Sequence, residues 1–258
     1  MTVFTEISST KNDLVKYAVK LQDSKFRKSE KKIFADGEKT IEGFVNDNIE
    51  LEYLFIKKDN DLYKKANAKN VVYVSDEVLK KISSVKTPSC VAAILKEPVI
   101  NKDKFLNLKR IALFEDIKDA GNLGTIIRSA CAFSVDGIIL YNNCVDLYNP
   151  KVIRSSAQNI FKIPIIHVFD IDFILKLKNN HKLISTVVDS NKSFQDYDFE
   201  DNFILAFGSE ASGLSDEIKK ISDTFLTFST DNNVESLNLA VCASISFAVI
   251  KLKSGLKI

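Results

Sequence analysis

From Ile111 onward the chain alternates short, almost wholly apolar runs with helix-period segments, and this alternation is its strongest constraint on folding. The strand candidates are Ile111–Glu115, Gly137–Tyr141, Pro164–Val168, Leu183–Val188, Phe203–Phe207 and Phe225–Phe228. The helix candidates between and after them are Leu123–Phe133, Pro150–Phe161, Ile171–Lys178, Ser215–Ile221 and Ser236–Leu252. Strands apolar on both faces and separated by helices predict a parallel sheet covered on both sides. In such sheets ligands sit beyond the carboxyl ends of the strands. The loops after Glu115, Phe207 and Phe228 are therefore where chemistry is expected.

The preceding residues read differently. Leu14, Val15, Ala18, Val19 and Leu21 recur at helical spacing, and a second helical stretch runs from Ile41 to Val45. β-like runs follow at Tyr53–Ile56, Val71–Val74 and Val91–Leu95, with the periodic Glu77–Ile82 between the last two. Glu97-Pro98 and the polar Asn101–Lys104 read as a connection. The expected division is a small α/β domain at 1–97, a linker at 98–109 and a parallel-sheet domain at 110–258.

Charge divides along the same line. Residues 1–110 carry 22 Lys+Arg against 16 Asp+Glu, or +6; the remainder carries 14 against 18, or −4, which together make the net +2. The densest basic run holds Lys25, Arg27, Lys28, Lys31 and Lys32. Such a cluster can neutralise phosphates and bind a polyanion in a salt-dependent way; a solvated surface turn is the other reading. Lys25, Arg27 and Lys28 are the candidate polyanion contacts within it.

With 45% apolar and 27% charged residues among 258, the composition excludes a disordered or collagen-like chain. Cys90, Cys131, Cys144 and Cys242 form no C-x-x-C pair and only His167 and His181 could join them, so no metal is expected and the thiols suit a reducing compartment. The start MTVFTEISSTKND lacks the basic and apolar regions of a signal peptide. Leu237–Ile250 is interrupted by Asn238, Ser244 and Ser246 and is too short to span a bilayer. A soluble cytoplasmic protein with no membrane partner is expected.

Three loops carry candidate chemistry. In DAGNLGTIIRSA (119–130), Gly121 and Gly124 permit close backbone approach, Asn122 is placed to cap a helix, and Arg128 is placed to meet a phosphate or developing oxyanion. In FGSEASGLS (207–215), Gly208 and Gly213 bracket Glu210 and two serines. Leu214 after Gly213 rules out a P-loop, and E-A-S-G-L is no nucleophile elbow. In FSTDNNVESLNLAVCA (228–243), Ser236 or Glu235 is placed to start the last helix with a buried Asn238 one turn inside, where it needs a hydrogen-bond partner.

N-L-G-T-I-I-R, G-S-E-x-x-G-L and E-S-L-N, in this order, resemble the three motifs of the SpoU/TrmH branch of the SPOUT methyltransferases, and NPKVIRSS at 149–156 resembles the segment between the first two. The region around Lys25–Gly37 resembles the start of the family's small N-terminal α/β substrate-binding domain. The resemblance implies an S-adenosyl-L-methionine (AdoMet)-dependent methyltransferase acting on a ribose 2′-oxygen of rRNA or tRNA. It also implies a parallel sheet tied in a trefoil knot, an exception to the rule against knots, and a homodimer. By motif position Asn122, Arg128, Glu210, Ser236 and Asn238 match active-site positions. Thr186, Gly208, Phe228 and Leu237 correspond to the cofactor site, and Arg154 joins Lys25, Arg27 and Lys28 as RNA contacts. Ala120, Gln158 and Ser229 depart from the residues common at their positions, which are proline, glycine and proline. A non-catalytic RNA-binding protein of the same fold is the alternative; a Rossmann enzyme is disfavoured because no G-x-G-x-x-G is present.

Overall fold

Strands that alternate with helices must return to one sheet by crossovers, and the computed structural model contains two such sheets. It describes residues 2–85, 87–228 and 237–254. Packing separates one unit, Met1–Val99 with Asp146–Gln158, from a second, Ile100–Val145 with Asn159–Ile258.

The first unit runs β1 (Val3–Ile7), α1 (Asp13–Lys20), α2 (Ser24–Glu30), β2 (Lys32–Asp36), α3 (Glu38–Asn46), β3 (Leu51–Ile56), β4 (Ala68–Val74), α4 (Asp76–Ile82) and β5 (Val91–Lys96). Its sheet has the order β1-β4-β3-β5-β2, with β1, β4 and β3 parallel and β5 antiparallel to β3 and β2. Val15, Ala18 and Leu21 of the first helical stretch close over Phe34, Phe55 and Ile94. Burying each of the larger of these side chains contributes about 1.5–3 kcal/mol. The basic run proves to be a helix, α2, rather than a turn. Asp23 Oδ1 accepts from the Phe26 amide at 2.9 Å to start it, and Lys31 in the left-handed region (φ 50°) ends it.

The second unit holds β6 (Arg110–Glu115), α5 (Ala120–Ala132) and β7 (Gly137–Tyr141). Between β7 and β8 lies α6 (Pro150–Ser155), which belongs to the first unit. Then come β8 (Ile165–Val168), α7 (Ile171–Lys178), β9 (Lys182–Thr186), β10 (Phe203–Phe207), α8 (Asp216–Ile221), β11 (Thr224–Leu226) and α9 (Leu239–Lys253). All six strands are parallel, in the order β11-β9-β10-β6-β7-β8. One face, with Ile111, Leu113, Ile204 and Ala206, packs with Ile174, Leu177 and Ile218 from α7 and α8. On the other, Phe114 stacks on Phe207 (5.0 Å) and Phe247 of α9 meets Phe207 edge-on (6.0 Å). The order reverses between β6 and β10, which makes their carboxyl ends the expected ligand crevice.

Two expectations change. The segment 98–109 is more than a connection: Lys102–Asn107 forms a 3₁₀ turn whose Phe105 is fully buried in the second unit's core. The expected helix 150–161 stops at Ser155, because Ala157 and Gln158 take left-handed φ of 47° and 68°. That conformation explains why glycine suits position 158. Here the Gln158 side chain instead fills the space beside Gly43, where an added Cβ would stand 2.4 Å from Gln158 Cβ. Ala120 opens α5, a position proline would also suit. Ser229 lies outside the described residues. Among the described residues no helix is long and apolar enough to cross a membrane.

Candidate active site

The site forms where β6 and β10 release their chains. Asp119 Oδ1 accepts from the Asn122 amide (2.8 Å) and starts α5, leaving the Asn122 side chain free of capping duty. After β10 the chain folds back on itself. Ser209 and Gly213 exchange both backbone hydrogen bonds (3.2 and 2.9 Å), and Gly213 sits at φ 66°. Gly208 is required by contact, since a Cβ there would lie 2.0 Å from the Gly213 carbonyl carbon and 2.1 Å from the Leu214 nitrogen. Buried Glu115, at the end of β6, accepts from the Ser215 amide (2.8 Å) and Asn142 Nδ2 (3.2 Å), so one carboxylate ties the 208–215 loop to the sheet.

This turn presents Glu210 to two amides. Asn122 Nδ2 donates to Glu210 Oε1 (2.5 Å), and Asn238 Nδ2 approaches the same oxygen (3.4 Å) and Asn122 Oδ1 (3.2 Å). Asn238 is not a buried residue one turn inside the last helix, as expected, but its exposed cap. Its Oδ1 accepts from the amides of Ala240 (2.9 Å) and Val241 (3.3 Å). The cost of an apolar environment is thereby avoided, and the amide nitrogen is left to bridge two loops.

Beside this cluster lies a cavity of about 540 Å³ to which Glu210 contributes, within the range of small-molecule sites, roughly 300–1,000 Å³. Thr186, Gly208, Phe228 and Leu237 all line it. The Thr186 hydroxyl donates to the Ala206 carbonyl (3.0 Å) and Phe228 stacks on Phe194 (4.5 Å), so both walls are fixed by their neighbours. Cys242 also lines the cavity; burial pushes its thiol up to about 11, which keeps it neutral at physiological pH.

The remaining expectations fare differently. Arg128 is exposed, lies about 240° round α5 from Asn122 by helix geometry, and has no hydrogen bond or ion pair among the described residues. Ser236 falls outside the described residues. Lys25 and Lys28 are exposed on α2. Arg27 is not available to RNA: it is 3% exposed, donates to the carbonyls of Leu21 (2.8 Å) and Gln22 (2.7 Å), and pairs with Asp146. Arg154 is likewise engaged, donating to Asp36 Oδ1 (2.8 Å) and to Ser84 Oγ. Helical spacing puts Arg27 on the inner face of α2, whereas the Arg154 side chain is 26% exposed although its partner Asp36 is 2% exposed.

The SpoU rRNA methylase family model matches residues 109–248, the segment that carries all three loops. The chain belongs to this family. An MRM3-like substrate-binding domain model matches residues 12–93. The chain is 30% identical to an uncharacterised tRNA/rRNA methyltransferase of Synechocystis, over 93% of this chain and 90% of that one. It is 26% identical to the 23S rRNA (guanosine(2553)-2′-O)-methyltransferase of Bacillus subtilis, over 93% and 96%. The AdoMet-bound rRNA methyltransferase of Sinorhizobium meliloti shares the fold, with TM-score 0.85, 23% identity and coverage of 98% and 99%. Membership in the SpoU family gives the three-loop convergence its context, and the residues that motif spacing did not reveal here are Glu115, Lys219 and Cys242. Glu115 reads as the end of a strand, and the other two as ordinary helix residues.

Proposed function

We propose that this chain is an AdoMet-dependent methyltransferase that modifies a ribose 2′-oxygen of ribosomal or transfer RNA. The observation that carries the reading is the meeting of Asn122, Glu210 and Asn238, from three loops, at a cavity whose walls include Gly208, Phe228 and Leu237. The cavity fits the donor: it has the size, apolar walls for a purine, and a tight Gly208–Gly213 turn that offers backbone groups. When bound, AdoMet supplies an activated methyl group on a sulfonium.

The chain's own residues then have positioning and electrostatic work. Glu210, held by two amides, fixes the rim and offers a carboxylate to share the proton of the hydroxyl, directly or through water. A guanidinium is a poor proton acceptor, so the role we assign to Arg128 is to hold the neighbouring phosphate and stabilise the oxygen as it loses its proton. Ser236, outside the described residues, is assigned to the site by motif position alone. Lys25 and Lys28 contribute phosphate contacts from α2, which makes RNA affinity fall with salt.

Two architectural readings accompany this. Val241, Ile245 and Leu252 form an exposed apolar stripe on one side of α9 (46%, 40% and 63% exposed), suited to pairing with a second copy in a homodimer. The trefoil knot is carried over from the family resemblance alone; α9 itself begins with Asn238 beside Asn122 and Glu210. A cytoplasmic location fits a ribosomal or transfer RNA substrate.

The test is incubation of the protein with labelled AdoMet and separated total ribosomal and transfer RNAs, followed by mapping of the labelled nucleotide. Label resistant to alkali cleavage at one ribose is expected. Label on a base, on protein, or nowhere would refute the reading.

A further inference from the structure

Only two charged side chains line the cavity among the described residues, Glu210 and Lys219, and they do not pair with each other. Glu210 is engaged by Asn122 and Asn238. Lys219, half-buried in the last turn of α8, has no hydrogen bond or ion pair from its ammonium among the described residues. Lys178 and Lys182, by contrast, are paired, with Asp223 at 3.0 Å and with Glu200. A lysine without an ion-pair partner that lines a partly apolar cavity favours an anionic ligand group, because a carboxylate leaving water needs a charged or hydrogen-bonding partner.

We propose that Lys219 binds the α-carboxylate of the methyl donor. The inference rests on the AdoMet reading above and extends it to the amino-acid end of that molecule. An α-amino acid terminus carries one cation and one anion on a single carbon; the anion is the part that matches Lys219, since Glu210 is already held by Asn122 and Asn238. The apolar walls at Val187, Phe228 and Leu237 remain for the adenosine part. Lys220, its neighbour, is exposed and does not line the cavity, so it shares the favourable helix-end position of Lys219 but not the ligand.

The experiment is titration calorimetry with S-adenosylhomocysteine and with its decarboxylated analogue, which keeps the amine and lacks only the carboxylate. Lys219→Gln is expected to weaken S-adenosylhomocysteine binding about tenfold, as for loss of one charge-assisted hydrogen bond. The same variant should not weaken the decarboxylated analogue, Lys219→Arg should recover most of the affinity, and Lys220→Gln should behave as wild type. In turnover, Lys219→Gln should raise the donor KM with kcat little changed. An unaltered affinity for S-adenosylhomocysteine in Lys219→Gln, or equal losses for both ligands, would overturn the assignment. If the wild-type protein bound neither ligand, the AdoMet reading itself would fall, and this assignment with it.

Discussion

Asn238 Nδ2 stands 3.4 Å from Glu210 Oε1 while Oδ1 of the same side chain caps α9. One amide therefore fixes the start of the last helix and the rim of the candidate site, and its two ends can be separated by substitution. Asn238→Asp keeps a capping oxygen but turns the donor into a second carboxylate facing Glu210. Stability should stay within about 1 kcal/mol of wild type, while methyl transfer falls on the order of a hundredfold. Thermal unfolding and single-turnover rates on the mapped RNA check the pair of outcomes; equal loss in both would mean Asn238 is only a cap.

Gly208 is constrained by backbone on its far side. Gly208→Ala forces a Cβ to within 2.0–2.3 Å of Gly213 and Leu214 backbone atoms, so the turn must open. The expected cost is about 1–3 kcal/mol of stability, with binding of S-adenosylhomocysteine lost at millimolar concentration. Calorimetry that finds wild-type affinity in this variant would remove the turn from the ligand site.

Arg27 and Lys28 are adjacent in sequence but opposite in role. Arg27→Ala strands Asp146, whose side chain is 13% exposed, and two backbone carbonyls; about 3–5 kcal/mol of stability should be lost from the first unit. Lys28→Ala should leave stability within about 0.5 kcal/mol and flatten the salt dependence of RNA binding. Urea unfolding and filter binding across a salt series distinguish the two.

Arg128 offers a graded test. Arg128→Lys retains a cation but not the planar fork and should keep partial activity, whereas Arg128→Ala should lose roughly 10²–10³-fold in kcat. Full activity in the alanine variant would exclude both the phosphate and the oxyanion role.

Cys242 reports on the cavity through pH. Burial raises its thiol from 9.0 to about 11, so the thiolate is scarce at pH 7.5 and alkylation should be slow. The rate should climb as pH approaches 11, the same window in which the buried neutral thiol ceases to favour the folded state. Peptide mapping after iodoacetamide treatment should also find Cys242 protected by S-adenosylhomocysteine, because it lines the ligand cavity.

Legibility followed burial. The strands of the second unit could be read almost to the residue, since β6, β7 and β10 are apolar on both faces and their runs end where polar loops begin. β1 escaped because it is an edge strand exposed along nearly its whole length, VFTEI, with no face to bias its composition. α2 was hidden by its charge, which masked the inward-facing Arg27. At the site, motif order singled out Asn122, Glu210 and Asn238, but the cap role of Asn238 depends on where the helix starts, and flanking polar residues leave that open. The partners of Arg27 and Arg154, Asp146 and Asp36, lie 119 and 118 residues away, and a pairing at that separation leaves no local trace in the sequence.

The excursion between β7 and β8 bears on how this protein can be dissected. Residues 146–158 leave the parallel sheet to pack with the N-terminal residues, where Arg154 reaches Asp36 and Arg27 reaches Asp146. A fragment cut at Val99 would carry Pro150, Val152 and Ile153, all buried in the intact chain, with nothing left to cover them. The N-terminal portion is thus no detachable module, and exchanging it between relatives would require transplanting this short excursion as well.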